Sequence, residues 1–178
     1  MIALAAVALA VSAQAASFAW KTSMTGKIYE AGTTTLLASG NAYLFDAAAI
    51  TQQAVLDAVL GGIELGSLAS LSSKAVSNGA IASTTFEWGT AGDTLNAFVA
   101  IVDGDNVYIS DKLSGDAQAS ATTTMQLNAK VSSQAAAMAS TTFTSGGWYT
   151  AAAVPEPTSG LLMLVGLAGL ALRRGRRA

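Results

Sequence analysis

The 178-residue chain has no cysteine and no histidine. Without cysteine no disulfide can staple the fold and thiol-based catalysis is excluded. Without histidine the commonest general base and metal ligand is missing, and with it every nucleophilic triad that uses an imidazole. Proline occurs only twice, at Pro155 and Pro157. Charge is scarce, at 11% of residues, and unevenly placed. Ten acids stand against five lysines before Val154, a net of −5, whereas Arg173, Arg174, Arg176 and Arg177 oppose Glu156 alone after it, a net of +3. The acidic part has neither a basic stripe nor basic residues interleaved with aromatics, so it would repel a phosphate backbone and no nucleic-acid partner is expected.

Hydrophobic residues reach 52%, but alanine dominates the figure and the two ends inflate it. Residues 2–11 form an uncharged run of Ala, Leu, Val and Ile leading into Ser12-Ala13-Gln14-Ala15-Ala16. A short apolar run followed by small residues at alternate positions is the pattern of an export signal, here with Ala13 and Ala15 at the cleavage site and residues 1–15 removed by signal peptidase. No basic residue precedes the run, a departure from the usual signal pattern.

At the other end, Val154-Pro155-Glu156-Pro157 precedes a charge-free stretch, GLLMLVGLAGLAL, at residues 160–172, and the arginine cluster follows. Thirteen helical residues at ~1.5 Å each reach about 20 Å against a hydrocarbon core of roughly 30 Å, so the span is marginal. Snorkelling arginines and bilayer thinning make up the difference, and weak insertion suits a segment that is later removed. Arginines resist translocation, which puts Arg173, Arg174, Arg176 and Arg177 in the cytoplasm as a stop and leaves the rest of the chain on the exported side. The prolines lack backbone donors and push their predecessors toward extended geometry, so the Pro-Glu-Pro strip is expected to be accessible and non-helical.

A Val-Pro-Glu-Pro motif, a short apolar helix and terminal arginines resemble the PEP-CTERM sorting domain. The resemblance covers residues 154–178. It implies recognition of Pro155, Glu156 and Pro157 by exosortase, a membrane-embedded transpeptidase-like enzyme of Gram-negative bacteria, and a transient stay in the inner membrane before delivery to the cell surface or extracellular space. These residues are then a substrate tag, with no catalytic role. A plain C-terminal anchor behind a proline-containing linker is the competing reading.

Between the signals, residues 16–153 are rich in Ala, Ser, Thr and Gly, with short β-favouring stretches punctuated by turn residues. Strand texture is expected at Phe18-Ala19-Trp20-Lys21-Thr22, Lys27-Ile28-Tyr29, Ala42-Tyr43-Leu44-Phe45, residues 80–88 and residues 122–131. The runs 97–102 and 107–110 flank Asp103-Gly104-Asp105-Asn106 and predict a hairpin. One helix is expected, capped by Asp46 or Thr51, with Ile50, Val55, Leu56, Val59 and Leu60 on its apolar face and Gly61-Gly62 ending it. Residues 66–78 and 132–144 are compatible with helix, strand or loop. The fold class is mainly β, a β-sandwich or rolled antiparallel sheet with one short helix, flanked by the N-terminal signal helix and the C-terminal transmembrane helix.

Few residues suggest chemistry. Asp103, Asp105, Asp111 and Asp116 invite a calcium reading, but a strand follows Asn106 where an EF-hand loop would continue, and a hairpin turn accounts for the first two. Glycoside hydrolysis needs two opposed carboxylates; Glu64, Glu87, Asp93 and Asp111 could in principle supply them, as acids in any acidic domain could. Ser73-Lys74 is formally a dyad, yet neighbours seldom point the same way. Trp20, Trp88, Trp148, Tyr29, Tyr108 and Tyr149 would stack on sugars if exposed, although core packing is the commoner use of aromatics. The expectation is therefore a non-enzymatic cell-surface or extracellular-matrix protein without cofactor or metal, associated with exopolysaccharide or biofilm as the resemblance implies; the alternative is a secreted carbohydrate-binding module or adhesin-like domain on a plain anchor. Thr33-Thr34-Thr35 and Thr122-Thr123-Thr124 are candidate acceptors of O-linked sugars. Intact-mass analysis of the exported protein should show an N-terminus at Ala16 and added sugar mass; a mass equal to the bare polypeptide would remove the glycosylation reading.

Overall fold

The computed structural model describes residues 15–24, 26–127 and 136–151; the apolar run at 2–11, the sorting tail from Val154 and parts of the 122–131 and 132–144 stretches lie outside the described residues. Eleven strands and one α-helix occur among them: β1 (Ala16–Thr22), β2 (Ser39–Asp46), α1 (Gln52–Leu60), β3 (Ser72–Ser77), β4 (Ala80–Ile81), β5 (Thr84–Trp88), β6 (Thr94–Asp103), β7 (Asn106–Ile109), β8 (Leu113–Asp116), β9 (Thr123–Leu127), β10 (Met138–Ala139) and β11 (Gly147–Thr150). They form a three-stranded sheet, β5-β1-β9, and a larger one ordered β10-β11-β7-β6-β2-β3-β4, in which β8 also pairs with β6. The protein is thus mainly β, with two sheets face to face. Most pairs are antiparallel as expected, but β1–β9 and β10–β11 are parallel, which corrects the all-antiparallel alternative.

Side-chain alternation along each strand sorts residues between two cores. Phe18 and Trp20 of β1, Met125 and Leu127 of β9, Ala42 and Leu44 of β2, and Leu95, Ala97, Val99 and Ile101 of β6 fill the space between the sheets. The intervening residues Phe45, Phe98 and Ala100 point to the opposite face of the larger sheet, where Val55 and Leu56 of α1 cover them. Phe45 and Phe98 stack with ring centroids 5.5 Å apart. The architecture is therefore three layers: small sheet, large sheet, helix.

Local sequence accounts for the joints. Thr51 caps α1, its hydroxyl accepting from the Ala54 N–H, while Asp46 instead ends β2 by accepting from the Ala48 N–H. At the other end of α1, the Gly62 and Ile63 N–H groups return to the Val59 and Ala58 carbonyls, with Gly62 at φ +87°, which is the double-bonded glycine stop of a Schellman motif. The β6–β7 hairpin forms where expected, with Gly104 at φ +56° as the first of two turn residues. Asn78 and Gly79, both at positive φ, turn β3 into β4, so the ambiguous 66–78 stretch contains a strand whose Asn-Gly hairpin signal was present in the sequence. Residues 80–88 are two strands, not one: β4 stays in the large sheet and β5 crosses to the small one. Lys27-Ile28-Tyr29 is not a strand. Apart from one bridge between Tyr29 and Leu36 it is a loop, and Ile28 and Leu37 in this region are buried as they close the sandwich.

β6 pairs with β7 and β8 along the same edge, but the register changes by one residue: Ala100 faces Ile109, and Ala97 faces Leu113. Three residues, 110–112, thus oppose two, 98 and 99, which makes a β-bulge. The bulge inverts the alternation, so Ile109 packs on the helix side and Leu113 on the side of the small sheet. Inside it the buried Ser110 hydroxyl accepts from the Val99 N–H at 2.9 Å and donates to the Asp111 carbonyl at 2.7 Å, replacing a ladder bond.

Ser110→Ala should leave the Val99 N–H without a partner and cost about 1–3 kcal/mol in urea unfolding. Gly79→Ala should cost at least about 1 kcal/mol in the same assay. Its backbone is at φ +67°, and an added Cβ would lie 2.5 Å from the Ile28 carbonyl oxygen.

Candidate functional site

The residues that suggested chemistry are dispersed by the fold. Ser73 and Lys74 are successive on β3 and so project to opposite faces, which dissolves the dyad. Asp93 closes a turn: it accepts from the Thr90 backbone N–H and hydroxyl, and these hydrogen bonds hold its pKa below the usual carboxylate value. Asp111 Oδ1 accepts from the Gly146 N–H, and Asp116 Oδ1 from the Thr94 hydroxyl, so both are occupied in structure. Asp103 and Asp105 belong to the β6–β7 hairpin. Among the described residues no group of three acids is placed to hold a metal ion.

Most of the aromatics that would stack on sugars if exposed serve instead in core packing, the commoner use. Trp20, Trp148, Tyr108 and Tyr149 are each at most 2% exposed. Their polar atoms face inward too: Trp20 Nε1 donates to the Ser72 hydroxyl, Trp148 Nε1 to the Tyr29 carbonyl, and the Tyr149 hydroxyl accepts from the Thr144 and Ser145 N–H groups. Trp88, half-buried, packs edge-on against Phe18 and donates to Asp46 Oδ2 at 3.3 Å. Burial, reinforced by the charge of Asp111, pushes the Tyr108 phenol well above its ordinary value.

A cleft of about 490 Å³ opens instead at the hairpin end of the large sheet, on its helix-covered face. Its floor is Asn41 and Tyr43 of β2 and Val102 of β6; one wall is the chain after α1, from Gly62 to Gly66, and the other is the turn carrying Gly104, Asp105 and Asn106. The last two residues of α1, Val59 and Leu60, also line the cleft where the helix ends. The hairpin turn and the helix stop are each legible in the sequence, but no local signal marks that they converge.

Ala151, the last described residue before the tail, also lines the cleft. Pro155 follows four residues later, within at most about 14 Å even in a fully extended chain. Ala15, one of the two expected signal-cleavage residues, is exposed immediately before β1, while Ala13 lies outside the described residues. Pro155, Glu156, Pro157 and the four arginines lie outside them as well, and no described helix is long and apolar enough to cross a membrane.

Fold and geometry therefore define a small β-sandwich domain whose candidate site is a ligand-sized cleft near the origin of the C-terminal tail. Residues 153–177 match the family model of the PEP-CTERM protein-sorting motif, so the tail carries that motif, and the motif implies an exported, membrane-transiting protein. No curated protein and no solved structure matches the chain.

The buried phenol gives a pH dependence. The folded-state pKa of Tyr108 is raised, so its contribution to stability is complete below the unfolded value of about 10 and is lost as pH rises toward the folded value. Thermal unfolding of the wild type should fall above about pH 10, and Tyr108→Phe should flatten that alkaline limb.

Proposed function

We propose that this is a non-enzymatic surface or extracellular-matrix protein of a Gram-negative bacterium, sorted by exosortase at Pro155-Glu156-Pro157 and associated with exopolysaccharide or biofilm. The observation that carries the reading is the sorting-motif match over residues 153–177. Several features of the domain support it. The charge step from an acidic domain to terminal arginines orients the tail with the domain exported. Asp93, Asp111 and Asp116 are spent on a turn, the bulge and a strand contact, which suits a binding or structural role. The β-rich body ties polar side chains such as Gln52, Gln53 and Ser110 into hydrogen bonds between distant elements, and the chain has no cysteine.

In this reading the signal run takes the chain across the membrane, signal peptidase cuts after Ala15, and the short apolar segment holds the protein until exosortase acts on the proline strip. The strip follows β11 by only a few residues, so the enzyme would work close to the folded domain.

Mass spectrometry of the C-terminus, on protein from the native host with and without its exosortase, tests the sorting step. An end near Pro155-Glu156-Pro157 is expected only when the enzyme is present. An intact Ala178 end in both strains would make the tail a plain membrane anchor.

A further inference from the structure

We propose that the cleft between Tyr43, the chain at 62–66 and the hairpin turn at 104–106 is a binding site for a segment of neutral glycan. The inference deepens the surface-protein reading by giving it a ligand class, and it rests on that reading only for the setting in which glycans are met. The site itself is argued from its lining.

Three large hydrophobic residues are exposed among the described residues, and two of them, Ile63 at 48% and Val102 at 36%, lie in this cleft. With the half-buried ring of Tyr43 they make an apolar wall of limited size, suited to the C–H face of a sugar ring. Around it stand Asn41, Glu64, Asp105 and Asn106. None of these four side chains, nor the Tyr43 hydroxyl, makes a hydrogen bond to another described residue, unlike Asp46, Asp93, Asp111 and Asp116, which are all engaged. The free set comprises two acceptor-only carboxylates, two amides that donate and accept, and one hydroxyl, which matches the mixed donors and acceptors of a polyol.

Charge narrows the ligand. The lining contains no Lys or Arg, so phosphate, sulfate or uronic-acid groups would meet two carboxylates without compensation. A simple cation would use the carboxylates and the amide oxygens but leave the amide N–H groups and the apolar wall without a role. A volume of about 490 Å³ lies within the usual range of small-ligand sites. Glycines keep the space open: Gly62 and Gly104 have no atom within 4 Å of where a Cβ would stand, and a Cβ on Gly66 would come within 3.0 Å of the Tyr43 hydroxyl.

The test uses the full chain, purified in a detergent without a sugar headgroup, against immobilised neutral hexose oligosaccharides, uronic-acid oligosaccharides and a polyamine. Binding to at least one neutral oligosaccharide is expected, with no measurable binding to uronic-acid chains. Tyr43→Ala should weaken it by about tenfold or more, since it removes the stacking ring, whereas Tyr43→Phe should keep most of it. Glu64→Gln with Asp105→Asn should change neutral-glycan binding by less than the ring deletion does. Lys112→Ala, outside the cleft, should leave it unchanged, and unfolding curves show whether each variant is folded. The proposal is overturned if no neutral oligosaccharide binds, if folded Tyr43→Ala binds as wild type, or if only the polyamine binds and the carboxamide pair abolishes it. None of these outcomes depends on C-terminal processing, so failure of the cleft and failure of the sorting reading are separately visible.

Discussion

Burial of strand β6 on both faces is the constraint around which the molecule is arranged. Leu95, Ala97, Val99 and Ile101 point into the sandwich and Phe98 and Ala100 point under α1, all with no measurable exposure. Each large side chain removed from water contributes about 1.5–3 kcal/mol, so a strand covered on both sides supplies much of the hydrophobic stabilisation of a domain this size. Its backbone groups, shut away from water, must all find partners. β2 takes one edge, and β7 and β8 share the other.

Sharing an edge requires the bulge at 110–112, and the bulge connects several parts of the fold. The Gln52 side chain of α1 donates to the Ser110 carbonyl at 2.7 Å, and Asp111 receives the Gly146 N–H, so the helix and the loop before β11 are tied to the same three residues. Gln53 extends this link, donating to the Thr141 carbonyl and accepting from the Phe143 N–H. The helix is thereby held over one half of the large sheet. The cleft lies at the C-terminal end of the helix, beside Val59 and Leu60, and Ala151 on its rim precedes the tail.

How far the sequence could be read varied with the range of the interaction. The helix boundaries and the β6–β7 hairpin were legible because Thr51, Gly61-Gly62 and Asp103-Gly104-Asp105-Asn106 act within a few residues of themselves. The Asn78-Gly79 turn was equally local, but Ser- and Ala-rich flanks gave no periodicity to frame it. Lys27-Ile28-Tyr29 looked like a strand because Ile28 is apolar and β-branched; the residue is indeed buried, but as part of a loop sealing the sandwich, its N–H donating to the Gly79 carbonyl. The aromatics illustrate the same limit: composition cannot say whether a tryptophan faces water, and here Trp20 and Trp148 face the core.

What the sequence by itself determined is what acts locally: the N-terminal apolar run, the Pro-Glu-Pro strip with its arginines, the charge step at Val154, the helix caps, the hairpin turn and a mainly β body. Their physical causes, from peptide geometry and desolvation of charge to short-range hydrogen bonding, need no distant partner. Only the tertiary structure decided the two-sheet pairing, the parallel partnership of β1 with β9 across more than a hundred residues, the bulge that reverses the alternation after Ile109, and the meeting of Asn41, Tyr43, Glu64 and Asp105 around one cleft. These depend on which surfaces bury one another, and that choice is made by the packing of the whole chain, which no short window of residues contains.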